Sequence, residues 1–320
     1  MNSKVRYACI VFLIATLYSF QGFGQCPSFS DSTFFEFEGN IVTYTVPDGV
    51  TNIRIVARGA QGGNNTNSLF PSGLGAEIRG TFAVSGGTQL KILVGQDPSG
   101  TGNGGGGGSF VTLLDNTPLI IAGGGGGSGD GNDSPEKHGK AIESGGMGSG
   151  DGGNGGIGGN GGTLGPNSAQ SGAGGGLLTN GSDGFAVGSG GKAFINGGAG
   201  ANVGFGVGGF GGGGNGSLVV IGGGGGGYSG GGSAGNNGGG LGGGGGGLGG
   251  GGGSFNAGSD PQAFAGVHSG NGQIVIYTCA DQILIPTVGQ WSIISLMLLI
   301  LILAVSAIRY SLSYKKTIQY

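Results

Sequence analysis

Two serines sit in the pattern of a nucleophile turn. Gly227-Tyr228-Ser229-Gly230-Gly231 and Gly231-Gly232-Ser233-Ala234-Gly235 both fit Gly-x-Ser-x-Gly, the strained turn that presents a serine hydroxyl to a histidine base. His138 and His268 are the only histidines that could act as that base. With 91 glycines among 320 residues, however, the serine pattern arises from composition alone. Each histidine reads as a polar residue of a solvated loop, so no catalytic residue is assigned. Gly139-Lys140 and Gly191-Lys192 are followed by Ala141 and Ala193, where a phosphate-binding loop needs Ser or Thr. Asp130, Asn132, Asp133 and Glu136 offer the oxygen ligands that calcium takes. Their spacing is not that of an EF-hand, and Gly145 to Asp151 misses the calcium-binding glycine repeat by one residue. A solvated polar loop is the reading adopted there, and no metal or cofactor is expected.

The cysteines point to structure rather than chemistry. Cys9 lies in an N-terminal apolar run, which leaves Cys26 and Cys279. An isolated pair in an oxidising compartment reads as a disulfide. Closing a loop of that length stabilises a fold by about 5 kcal/mol in the chain-entropy account. The other reading is two free thiols.

Both ends of the chain carry targeting patterns. Lys4 and Arg6 precede an apolar run from Ala8 to Phe20, and Gly22-Phe23-Gly24 follows, which is the layout of a signal peptide over 1–24. Cleavage there starts the mature chain at Gln25; a lipid-modified Cys26 fits less well, because Gln25 is large for the position before it. Near the other end, residues 291–308 carry no charge. As a helix they reach about 27 Å, enough to cross a bilayer core. Arg309, Lys315 and Lys316 follow, so the positive-inside rule places the C-terminus in the cytoplasm. The expected organisation is a signal peptide (1–24), an extracellular domain (25–282) and a tail (283–320) with a single transmembrane helix.

The domain between these ends is acidic, with 7 Lys/Arg against 15 Asp/Glu. No basic patch shows in the sequence, so nucleic acid is not expected as a partner. Phe34 to Leu114 reads as β structure. Ile53, Ile55 and Ala57 alternate with Arg54, Val56 and Arg58; Ile78, Phe82 and Val84 alternate with Glu77, Arg79 and Ala83; Leu90, Ile92 and Val94 alternate with Gln89, Lys91 and Leu93. Such alternation marks half-buried strands. Pro47-Asp48-Gly49 is a turn signal, and a last strand is expected over Gln273 to Thr278. Strands from both ends sharing one sheet would bring Cys26 and Cys279 together.

The glycine-rich body runs from about Gly102 to Gly258. From Asp151 to Thr163 the residues other than glycine fall at every third position: Asp151, Asn154, Ile157, Asn160 and Thr163. Three residues per turn is the period of a polyproline-II-type helix. Gly222–Gly227, Gly242–Gly247 and Gly249–Gly253 are bare on every edge. The pattern predicts a bundle of polyglycine-II helices, all-glycine segments inside and side-chain-bearing ones outside. Pro118–Ala122 and Leu218–Ile221 are apolar runs that enter glycine tracts and could pin the bundle.

Several blocks resemble a known module. Gly208–Gly214, then Gly222–Gly227 with Tyr228-Ser229-Gly230-Gly231, is similar to the glycine-rich extracellular domain of the anaplastic lymphoma kinase and leukocyte tyrosine kinase receptors. Val50–Gly63 and Gly104–Val111 resemble bacterial relatives of it. The resemblance covers about Phe34 to Tyr277. It implies a tumour-necrosis-factor-like β part joined to a polyglycine-helix bundle. It implies no kinase, because no His-Arg-Asp or Asp-Phe-Gly sequence is present. Ile285-Pro286-Thr287-Val288-Gly289-Gln290-Trp291, an apolar run and a basic end resemble a bacterial Ile-Pro-Thr-Leu type sorting signal. There Val288 replaces the usual Leu, and Ser292 stands where Gly often follows the Trp.

The expected fold class is therefore mainly β: a β-sandwich-like part, a polyglycine-II bundle and one C-terminal transmembrane helix. The expected function is a non-catalytic structural or recognition protein of the cell surface. Its expected contacts are an unidentified surface ligand or protein, the membrane through the tail helix, and the export and sorting machinery. The alternatives are an ice-binding protein, with Asn154, Ile157, Asn160 and Thr163 as a flat row, and more distantly a secreted hydrolase.

Overall fold

The structure is a computed structural model. It describes residue 29 and residues 31–317, apart from 99, 101, 132, 167–169, 204, 218–219, 237–245 and 281–287. The expected signal peptide, Cys26, Ile285, Pro286 and Thr287 lie outside the described residues. The chain divides into two compact units, Met1–Ala280 and Asp281–Tyr320.

The described strands of the first unit form two five-stranded antiparallel sheets. The strands are β1 (Asp31–Phe35), β2 (Val42–Thr45), β3 (Val50–Arg58), β4 (Gly75–Ala83), β5 (Gln89–Leu93), β6 (Ser109–Leu113), β7 (Pro118–Ala122), β8 (Phe255–Asn256), β9 (Ser259–His268) and β10 (Gln273–Ala280). The first sheet has the order β1-β10-β3-β4-β9 and the second β2-β5-β6-β7-β8. Strands from the two ends of the unit do share a sheet, for β10 lies between β1 and β3.

Alternation fixes which face each strand buries. Ile53, Ile55, Ala57, Ile78, Phe82, Ile274 and Ile276 of the first sheet meet Leu90, Ile92, Val111, Ile120 and Ala122 of the second. The second sheet is buried on its other face too. Leu93, Phe110 and Ile121 point away from the first sheet and pack against Leu177 and Phe194 of the glycine-rich body. Phe110 and Phe194 stack with ring centroids 5.0 Å apart, and Tyr228 stacks on Phe255 at 4.8 Å. A strand buried on both faces has no polar side, which explains the unbroken apolar run of β7.

The glycine-rich body fills the stretch between β7 and β8. Among the described residues no bundle of polyglycine-II helices appears, a correction to the expected fold class; most of the all-glycine segment expected over Gly242–Gly247 lies outside the described residues. Among the described residues the regular elements of the body are two three-residue 3-10 turns, Pro135–Lys137 and Phe194–Asn196. The helix expected over Asp151–Thr163 fails for a local reason. Gly158 and Gly159 take positive φ (60° and 87°), and the chain doubles back. Thr163 N–H then donates to Asn154 O at 2.9 Å, and Asn160 N–H to Ile157 O at 3.3 Å. Asn154, Ile157, Asn160 and Thr163 therefore do not form one straight row.

The body is nonetheless ordered by backbone hydrogen bonds between segments remote in sequence. Gly222 and Gly225 donate to Gly247 and Gly250; Gly223 and Gly226 donate to Asn103 and Gly106; Gly224 and Gly227 donate to Gly172 and Gly175, all at 2.9–3.3 Å. The carbonyls of Gly222 and Gly225 accept from Ala234 and Gly231, those of Gly223 and Gly226 from Gly127 and Gly124, and that of Gly224 from Gly214. One extended segment is thus bonded to six neighbours. An extended glycine chain has no internal hydrogen bonds, so each buried N–H and C=O must find such a lateral partner.

In the second unit, α1 spans Val288–Thr317. Among the described residues no helix is long and apolar enough to cross a membrane. This corrects the expected transmembrane helix over 291–308 and the single-pass placement built on it. The side chains of α1 are described over residues 294–310. Trp291 lies in the first turn of α1, and its side chain is outside the described set.

Candidate functional site

The residues that could do chemistry hold backbone instead. Ser229 and Ser233 are fully buried. Ser229 Oγ accepts from Gly159 N–H at 3.2 Å, and Ser233 Oγ donates to Thr163 O at 3.5 Å. Neither serine bonds to a histidine. His138 Nδ1 accepts from Leu74 N–H at 3.0 Å, and His268 Nε2 lies 2.8 Å from Asn271 O. Burial pushes the His138 pKa down, and the Lys137 charge adds to the shift.

The acidic loop is likewise committed. Asp130 Oδ1 accepts from Leu69 N–H at 2.8 Å, Asp133 pairs with Lys137 at 2.5 Å, and Glu136 pairs with Lys140 at 2.9 Å. Lys137 is buried and also donates to Pro71 O at 3.1 Å. Asn132 lies outside the described residues. Among the described residues no group of three or more His, Cys, Asp or Glu could hold a metal ion.

Cys279 lies in β10 opposite Asn52, is buried, and is disulfide-bonded. Cys26, its expected partner, precedes β1, which opens with Asp31 paired to Thr278.

The outer face of the first sheet gathers what the loops do not. Residues paired across the strands make three rows there: Ser32, Tyr277, Arg54, Thr81 and Ser259; Phe34, Val275, Val56, Arg79 and Gln262; and Gln273, Arg58, Glu77 and Phe264. Arg54, Arg58 and Arg79 are all the arginines between residues 31 and 280. Antiparallel pairing of β3 and β4 puts them on one face, with Glu77 among them. Arg58 Nε donates to Glu77 Oε2 at 2.5 Å, and Arg79 Nε to Glu77 Oε1 at 2.7 Å. Arg58 also donates to Gln273 Oε1, and Gln273 to Glu36 Oε1 at 2.7 Å. Burial pushes the Glu77 pKa up, but its bonds to Arg58 and Arg79 outweigh this and hold the carboxyl below its usual value. Arg79 lies 5.4 Å from the centroid of the Phe264 ring.

Arg54 differs from the other two. It is half-buried between Tyr277 and Thr81, and among the described residues its side chain makes no hydrogen bond or ion pair. The sequence signal for this face was present in the alternation of arginines with isoleucines in β3. What the sequence withheld was the partner strand that brings Arg79 and Glu77 beside them.

No protein-family model matches this chain, and no curated protein matches it.

Proposed function

We propose that this protein is a non-catalytic recognition and structural module whose working surface is the outer face of the first sheet. One observation carries the reading. Serines, histidines and acidic residues that could act in catalysis or bind metal are spent on backbone and lysine partners, whereas one arginine on a charged, aromatic-lined sheet face has none. The Cys279 disulfide suits a protein of an oxidising compartment. The likeness to the receptors' glycine-rich extracellular module fits a role without catalysis, since that module carries no kinase.

The doubling back at Gly158–Gly159 removes the straight row on which an ice-binding face depended. The test of the reading is turnover. The full chain should hydrolyse neither activated esters nor glycosides above background. Turnover that vanishes in Ser229→Ala or His138→Ala, with the fold retained, would contradict it.

A further inference from the structure

We infer that the outer face of the first sheet binds a carboxylate-bearing polysaccharide, with Arg54 as the guanidinium that takes the carboxylate. The inference rests on the non-catalytic reading above and names the partner of that same face.

Charge comes first. The domain of residues 25–282 holds 7 basic and 15 acidic residues. Three of its four lysines have side-chain partners: Lys137 and Lys140 pair with Asp133 and Glu136, and Lys91 donates to Asn116 at 2.9 Å. The outer face of the first sheet therefore gathers three of the domain's seven basic residues, set against Glu77. On that face Glu77 already pairs with Arg58 and Arg79, which leaves Arg54 uncommitted. A guanidinium prefers a carboxylate, which it grips with two parallel N–H donors.

Charge density then decides the kind of anion. Nucleic acid carries one phosphate per ~1.7 Å of duplex and is gripped by many cations together. One free arginine and two shared ones on an acidic domain do not meet that need. A polymer with one carboxylate per sugar or fewer does.

Shape and composition point the same way. A cavity of about 690 Å³, lined by Phe82, Val84, Leu113 and Leu119, reaches the end of the first row at Thr81 and Ser259, and one of about 220 Å³ is lined by Ile78, Ile142 and Phe255; neither is lined by an arginine. The arginine face is a sheet surface five strands wide, which suits an extended chain rather than a small molecule in a cleft. Tyr277 flanks Arg54, and exposed Phe34 and Phe264 lie at the two sides. Aromatic rings offer flat apolar faces to the C–H side of a sugar. Ser32, Thr81, Ser259 and Gln262 stand in the same rows to bond its hydroxyls. A protein partner would need an exposed apolar centre with a polar rim. Here the central pair, Val56 and Val275, is buried beneath the charged side chains, and the exposed rings lie at the margins.

The experiment is calorimetric titration of the full chain with polygalacturonate oligomers at low and moderate salt. Dextran and single-stranded DNA serve as comparison polymers. Binding should be saturable and weaken with salt. It should fall by about tenfold or more in Arg54→Gln, the loss of a charge-assisted hydrogen bond. Dextran and DNA should bind more weakly than polygalacturonate. Unchanged thermal unfolding of Arg54→Gln keeps that loss from being a folding effect. Equal affinity of parent and Arg54→Gln overturns the inference. So does dextran binding as tightly, DNA binding as tightly, or no binding by folded protein. The last outcome, without turnover of any substrate, removes this ligand and leaves the non-catalytic reading standing. Cleavage of the oligomers by the parent removes that reading.

Discussion

His138 is held neutral by what surrounds it. Its Nδ1 accepts the Leu74 N–H, and burial, reinforced by Lys137, lowers its pKa. Asp133 opposes the shift and Lys140 adds to it. An unfolded histidine takes its proton near pH ~6.5. Between that value and the lower folded one, the unfolded chain binds more protons, so stability rises with pH. The melting temperature should therefore climb between pH 5 and 7.5, and more steeply in the parent than in His138→Gln. Parallel slopes would show that the ring does not carry the effect. Glu77 has the opposite chemistry and the same direction. Its lowered pKa supplies stability that is present above the usual carboxylate range and lost as acid protonates it. At this scale the sequence showed the residue types but not their partners. Nothing local says that Leu74 will donate to His138, or that Glu77 will sit between two arginines from adjacent strands.

The elements divide by how far their hydrogen bonds reach. β3, β4, β5 and β10 were legible because each buries one face, so apolar residues fall at every second position. β9 was not legible. It is an edge strand with Asp260 at positive φ, Pro261, register shifts against β4 and mostly exposed side chains, so it has no buried face to imprint a period. These features also blunt its free edge against pairing with another chain. The glycine segments were legible in part. Their composition announces extended backbone, but which of six neighbours each residue bonds is set by packing alone. The reverse turn at Gly158–Gly159 defeated the three-residue period for the same reason. Packing at this scale makes a sharp prediction. A Cβ on Gly224 would collide with the Gly231 carbonyl and lie 2.6 Å from Gly174 N. Gly224→Val must push those segments apart, at about 1–3 kcal/mol for each buried backbone group left unpaired. Asn154 is exposed, and its side chain makes no hydrogen bond. Gly224→Val should lower the melting temperature and speed proteolysis, with Asn154→Val close to the parent. Equal stability of all three proteins would contradict the packing described.

For the first unit, the second sheet is the structural pivot. One face closes the sandwich core, and the other seats Leu177 and Phe194 of the glycine-rich body. Bare backbone alone buries little apolar surface, and each glycine loses more entropy on folding than alanine, by about 0.5–1 kcal/mol. A few apolar anchors on a rigid sheet, with lateral hydrogen bonds between the glycine segments, offset that loss. The anchoring runs were visible in the sequence; that one of them, Pro118–Ala122, is itself a strand of the sheet became visible only in the fold. The central claim is that the glycine-rich tract is an ordered part of the unit rather than a solvated linker. Hydrogen exchange of the amides Gly222–Gly227 tests it most directly, because each donates to a carbonyl remote in sequence. The account predicts protection matching that of the buried amides Ile53–Ala57 in β3. Exchange at the rate of an unstructured peptide would contradict it.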